Sequence, residues 1–281
     1  GLARLGQPTA MACRLSGDPF GTVLRQHLTR SGVDVRYVVN APEPSTIALV
    51  QLTDGQARYE FTQGGADFGW TPAELEFLPG GASAVHFGSL GSWRPPGDAA
   101  IAGAVSRLRA TGSVLVSYDP NVRPSLQPDP TAARQQIERS VALAHVVKAS
   151  LEDLAWLYGS ADPAVVAGRW LDLGAGLVVV TTGPDGAAGW TRGGLEITRP
   201  AYPAVIADTV GAGDAFTSGL LDALARAAAL DPNLVMAGLD ERTLARALDS
   251  ASMVAGLTCA RPGASPPWRA ELDAVLRGDA A

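Results

Sequence analysis

Asp208-Thr209-Val210-Gly211-Ala212-Gly213-Asp214-Ala215-Phe216 is the stretch from which the rest of the chain is read. An apolar run over 203–207 precedes it and an apolar-periodic run over 215–230 follows, so it lies where coil turns into helix. Gly211 and Gly213 leave no side-chain bulk over that turn. The first N–H groups of a helix lack intrahelical partners, and the helix dipole adds partial positive charge there. Such a turn suits phosphate. Asp214 then sets a carboxylate in the first turn, beside the anion. A carboxylate that only bound phosphate would repel it; one that takes a proton from a hydroxyl attacking phosphorus belongs there. Spacing alone leaves a plain capping aspartate as an equal alternative. A dinucleotide fold is disfavoured, because its glycine turn follows the first strand of a βαβ unit. Here the turn comes late, and Phe216 stands where the third glycine would be.

Composition narrows the classes. The chain has 281 residues, 47% of them hydrophobic, enough for one large α/β domain or two small ones. A net charge of −6 with no basic cluster disfavours nucleic acid and acidic membrane surfaces as partners. Lys148 is the only lysine, and no Walker-type phosphate loop, which needs Gly-Lys-Ser/Thr, is present. His27, His86 and His145 are scattered without metal-ligand spacing, and no Gly-x-Ser-x-Gly nucleophile turn occurs. Cys13 and Cys259 both lie in apolar runs, which points to core thiols in a reducing, cytoplasmic setting. No apolar run reaches the roughly 18 residues of a membrane span, and no signal peptide is visible. Gly1 to Gly6 reads as the tail of a helix with a glycine cap, so further residues are expected before Gly1.

Period and turn signals set out the order of elements. A strand over 9–15 and a helix over 20–31 come first. The segment 33–62 is expected to project as a small antiparallel sheet. It holds alternation at Val35, Tyr37 and Val39, then two β-rich runs joined through Asp54-Gly55. Such a sheet would act as a lid, a dimer surface, or both. A capping box, Thr71-Pro72-Ala73-Glu74, announces a helix. Strands are then expected over 83–87, 114–118, 146–148 and 177–181, and helices over 98–111, 131–143, 150–158 and 164–173. A hairpin around Gly193-Gly194 follows, and after the nonamer come helices over 241–257 and 268–276. Strand–helix alternation implies a doubly wound, mostly parallel sheet with helices on both faces, a three-layer α/β arrangement. Ligands then lie beyond the C-terminal strand ends. Polar residues fall at those ends: Gly88 and Ser89, Asp119 to Arg123, Lys148 and Ser150, Thr182 and Gly183.

The whole nonamer closely resembles the C-terminal signature of the PfkB (ribokinase-like) sugar kinases, Asp-Thr-x-Gly-Ala-Gly-Asp-x-Phe, and departs from it nowhere. The resemblance covers the visible chain as a single ribokinase-like domain, 1–281, with the β lid inserted at about 33–62. It leaves out the family's first strand and its Gly-Gly-x-x-x-Asn motif. It implies an ATP- and Mg²⁺-dependent kinase acting on a primary hydroxyl of a small sugar. Asp214 would be the base, and the N–H groups of Gly211, Ala212 and Gly213 the cradle. Gly88, Ser89, Asn121 and Arg123 would face the sugar, and Lys148, Ser150, Thr182, Gly183 and Ser252 the nucleotide. Ser150-Leu151-Glu152-Asp153 stands where the family has Asn-x-x-Glu, so Asp153 would influence the metal indirectly. Asp208, Val210, Thr258, Arg261 and Gly263 would form a monovalent-cation (K⁺) site, mostly through carbonyls. The segments Glu43-Pro44-Ser45-Thr46, His86-Phe87-Gly88-Ser89-Leu90 and Asp119-Pro120-Asn121 look most like fructokinases. A 2-keto-3-deoxygluconate kinase is the alternative, and a non-catalytic sugar- or nucleotide-binding relative is the alternative of another class.

Overall fold

The computed structural model describes residues 1–53, 56–62, 64–78, 81–159 and 162–278. Along the chain run β1 (Cys13–Ser16), α1 (Pro19–Arg30), β2 (Val38–Ala41), β3 (Ala48–Thr53) and β4 (Gln56–Phe61). Next come β5 (Ala84–Gly88), α2 (Ser89–Trp93), α3 (Asp98–Ala110), β6 (Leu115–Asp119), α4 (Pro130–Val141), β7 (Val146–Ser150), α5 (Leu151–Tyr158) and α6 (Pro163–Leu173). Then follow β8 (Leu177–Thr181), β9 (Ala187–Thr191), β10 (Glu196–Arg199), α7 (Ala212–Arg226), α8 (Pro232–Ala237), α9 (Glu241–Cys259) and α10 (Arg269–Arg277).

The central sheet has the order β10-β9-β8-β7-β6-β5. β5 to β8 are parallel, and β9 and β10 turn antiparallel at one edge. Residues with no polar interruption, such as Leu177 to Val180, are buried on both faces, as a doubly covered sheet requires. Val116, Tyr118, Val147, Val178 and Val180 point to one side, against Ile137, Leu154 and Trp170 of α4, α5 and α6. Leu115, Val146, Leu177 and Val179 point to the other, against Phe216, Leu220 and Leu224 of α7 and Leu244 and Leu248 of α9. Period two in the strands and period 3.6 in the helices thus give the three layers the sequence implies. Each fully buried leucine in these layers contributes about 1.5–3 kcal/mol.

Several boundaries differ from the sequence reading. The alternation at 35–39 does not join an antiparallel lid: β2 runs parallel beside β1, Cys13 opposite Val38. The antiparallel unit is β3–β4 alone, Ala48 opposite Phe61, and the Asp54-Gly55 turn lies outside the described residues. The Thr71 capping box forms, with Glu74 Oε2 accepting from Thr71 N at 2.8 Å. Only a single 3₁₀ turn, Ala73–Leu75, follows it. α7 stops at Arg226 rather than 230, and Pro232, capped by Asp231, starts the separate α8. Gly1 to Gln7 does carry a helix-end motif: Gly6 has φ +89°, Gly6 N donates to Ala3 O and Gln7 N to Leu2 O.

That first turn is tied to α7 and α10. Asp222 of α7 is 1% exposed. Its carboxylate accepts from Gln7 Nε2 at 2.7 Å, from Arg226 Nε at 3.1 Å, and from Arg269 of α10. Arg226 and Arg269 each also donate to Leu5 O at 3.0 Å. A buried carboxylate needs such compensation to remain ionised.

Candidate functional site

α7 starts without a side-chain cap. Its N-cap, Gly211, sits in the left-handed region at φ +79°, and a Cβ there would fall 2.6 Å from Ala264 Cβ. Only glycine fits both the conformation and the space. Asp214 is the third residue of the helix and is exposed. Among the described residues no hydrogen bond engages its carboxylate; its main-chain carbonyl accepts from Ser218 Oγ at 2.9 Å. The cradle is narrower than the sequence suggests. Ala212 N donates to Thr209 O at 3.2 Å, closing the turn, so this N–H is directed inward. Gly211 N and Gly213 N have no such partner among the described residues.

A polar row crosses the sheet under this turn. Alternate residues of parallel strands share a face, and the register sets His86 beside Ser117 and Gly88 beside Asp119. His86 Nδ1 lies 3.0 Å from Ser117 Oγ. Lys148 Nζ donates to Asp119 Oδ2 at 3.0 Å, and Asn121 N donates to Asp119 Oδ1 at 3.0 Å. Lys148 is 4% exposed. Burial pulls its pKa down, but the charge and hydrogen bond of Asp119, helped by Asp153 and Asp214, outweigh that and raise it overall. It stays an ammonium. It is not placed to grip a nucleotide, as the sequence reading had it, because it is enclosed and paired. Sequence reasoning overlooked the row as a unit; period two across successive strand ends is the signal that finds it.

α5 starts differently. Ser150 caps it, and Asp153 closes a full capping box. Asp153 Oδ2 accepts from Ser150 N at 2.9 Å and Ser150 Oγ at 2.8 Å, while Oδ1 accepts from Val122 N at 2.8 Å. Both oxygens are engaged in the fold and the side chain is 8% exposed, which argues against the metal-influencing role inferred for Asp153. This corner, with Asn121 and Arg123, lines a cavity of about 230 Å³. Arg123 Nη1 donates to Val122 O at 2.9 Å, which draws its guanidinium toward the strand end. Asn121 itself has φ +42° and Ser89 φ +51°, unusual for residues other than glycine and typical of functional strand ends.

The segments expected to form a cation loop lie side by side. Asp208 Oδ1 accepts from Val210 N at 3.0 Å and Oδ2 from Gly263 N at 2.8 Å. These main-chain donors hold its pKa below the ordinary carboxylate value. Gly263 O accepts from Ser265 N, and Thr258 O from Arg261 N. The Arg261 side chain pairs with Glu271 at 2.9 Å. Both Asp208 oxygens and the carbonyls of Thr258 and Gly263 are thus engaged within the fold. Among the described residues no group of three His, Cys, Asp or Glu could hold a metal ion. Thr182 and Gly183 follow β8, and Ser252 is buried on α9. Among the described residues no helix is long and apolar enough to cross a membrane.

Comparisons agree with this fold. The family model for pfkB family carbohydrate kinases matches residues 1–271. A fructokinase from Rhizobium leguminosarum bv. trifolii is 38% identical over 244 residues, 86% of this chain and 74% of that protein. Aminoimidazole riboside kinase from Salmonella enterica, solved with aminoimidazole riboside and an ATP analogue, superposes with TM-score 0.83 at 29% identity, covering 98% of this chain and 88% of the other. A fructokinase double mutant from Vibrio cholerae O395, in its fructose-, ADP- and potassium-bound form, gives TM-score 0.84 at 26% identity over 97% and 86% of the two chains.

Proposed function

Because the chain belongs to the pfkB family of carbohydrate kinases, and so is an ATP-dependent sugar kinase transferring phosphoryl to an alcohol, we propose that its acceptor is fructose and that Asp214 is its base. The fructokinase relatives support the sugar. One observation carries the base: Asp214 is an exposed first-turn carboxylate with no hydrogen-bond partner among the described residues, on a helix whose glycine N-cap leaves the turn beside it uncovered. It takes the proton from the attacking primary hydroxyl. Gly211 N and Gly213 N, with the helix dipole behind them, stabilise charge on the transferred group. Phosphoryl transfer is loose and depends on positioning, so a strong base is not needed. The unpartnered carboxylate also disfavours a non-catalytic binder.

The sugar would sit over the ends of β5 and β6, against Gly88, Ser89, Asn121 and Arg123. The nucleotide would lie past Ser150, Thr182, Gly183 and Ser252. Mg²⁺ binds through substrate phosphates and water where protein carboxylates are few, which fits a site with no acidic triad; it supplies charge neutralisation between phosphates. K⁺ fits the loop cinched by Asp208. Two further parts of the proposal are a cytoplasmic location, consistent with two free cysteines, and a homodimer through β3–β4, next to which Ile47 and Leu49 are exposed.

A coupled ADP-release assay over a panel of sugars tests the reading. Turnover with fructose well above that with ribosides or 2-keto-3-deoxygluconate is the expected result. Absence of ADP release with every sugar would favour the binder.

A further inference from the structure

The only lysine of the chain is enclosed where no solvent-borne ligand reaches it, yet it lies against the site. Lys148 Nζ is 3.0 Å from Asp119 Oδ2 and 3.0 Å from where a Cβ on Gly213 would stand. The other oxygen of Asp119 is held by Asn121 N. The pair is therefore oriented, its carboxylate on β6 and its ammonium under the first turn of α7. From afar the pair is neutral; at the start of α7 the nearer pole is positive, and in a poorly solvated interior that field persists. The second glycine of the nonamer thus makes room for a cation from below.

We propose that Lys148 is a positioning residue of the phosphoryl-transfer site: anchored by Asp119 and admitted by Gly213, its ammonium provides a fixed positive charge beneath the α7 start. That charge favours an anion over the turn. The catalytic part of this role rests on the kinase reading above. The charged groups facing Lys148 are Asp119, Asp153 and Asp214, with His86 at the far end of the row, next to Ser117. The net upward shift of the lysine pKa is consistent with a permanent charge.

The test compares the wild-type chain with Lys148→Met and with Lys148→Met/Asp119→Asn. The double variant replaces a charged pair by a neutral one of similar shape, so no buried charge is left alone. The first readout is calorimetric binding of inorganic phosphate without sugar or nucleotide. Both variants should bind it about ten-fold more weakly. The second readout is kinetic. Both should lose about 10²-fold in kcat, with KM for the sugar within about three-fold.

A double variant with wild-type phosphate affinity and kcat would overturn the proposal, reducing the pair to an internal staple. A rise in KM for ATP with kcat unmoved would also overturn it, making Lys148 a nucleotide ligand. If no sugar is phosphorylated but phosphate binding still depends on Lys148, the kinase reading fails and the charge assignment stands. If sugar is phosphorylated but neither readout responds to Lys148, only the charge assignment fails.

Discussion

α5 and α7 both begin at the C-terminal side of the sheet, and both carry aspartate as their third residue. Asp153 is enclosed and bonded through both oxygens; Asp214 is exposed and bonded through neither. The difference lies one turn earlier. Ser150 caps α5 with an extended backbone and a hydroxyl that draws the aspartate back over the helix start. Gly211 caps α7 in a left-handed conformation with no side chain to reciprocate. An identical residue at an identical position is structural in one helix and available for chemistry in the other. An acidic residue near a helix start says little until its cap is known.

Exchanging the acids for neutral groups tests this contrast most strongly at α7. Asp214→Asn should lower kcat by about 10²–10⁴-fold, with ATP affinity nearly retained, as read by ADP release and by nucleotide titration. Unaltered turnover would remove Asp214 from the mechanism and erase the contrast. Gly211→Ala comes next. Its left-handed backbone and the Cβ overlap with Ala264 should cost about 1–3 kcal/mol in stability and, by displacing the turn, about 10²-fold in kcat. Denaturant unfolding alongside kinetics separates the two losses.

At α5 the effect should be on stability. Asp153→Ala leaves Val122 N and Ser150 N without their acceptor, so unfolding free energy should fall by about 1–3 kcal/mol. A loss of kcat as large as that of Asp214→Asn would show the two aspartates to be alike in function. The smallest effect concerns pH. His145 Nδ1 accepts from Val116 N at 2.9 Å, and burial, with Arg109 nearby, lowers its pKa to about 4. The unfolded chain then binds the extra proton first. This contribution to stability is complete above about pH 6.5 and declines as pH falls toward 4. Urea midpoints at pH 7 and pH 5 should show the decline, and subtracting it sharpens any acid limb assigned to catalysis.

The layers were legible from local pattern. Leu177 to Thr181 announced a doubly buried strand, and the runs on α7 and α9 announced the helices that cover it. What escaped reading depended on distant partners. Val38 could not reveal from its own neighbours that it would pair with Cys13 in a parallel register. The capping box at Thr71 was real, but Arg14 Nε takes the other oxygen of Glu74 at 3.2 Å and the helix stops after one turn. The position of Asp214 followed from the nonamer, because cap and acid lie within four residues. The pairing of Lys148 could not be read locally, since Asp119, its partner, lies 29 residues away on another strand.

Asp222 lies on the same helix as Asp214, two turns further along, roughly 12 Å at 1.5 Å per residue. It gathers Gln7 from one end of the chain and Arg269 from the other. Losing the segment that holds Gln7 would cost this enclosed carboxylate an amide donor, and losing α10 would cost it a guanidinium. Tags, fusions and shortened versions should be judged by whether they spare this knot, since it is anchored on the helix that begins at the Gly211 turn.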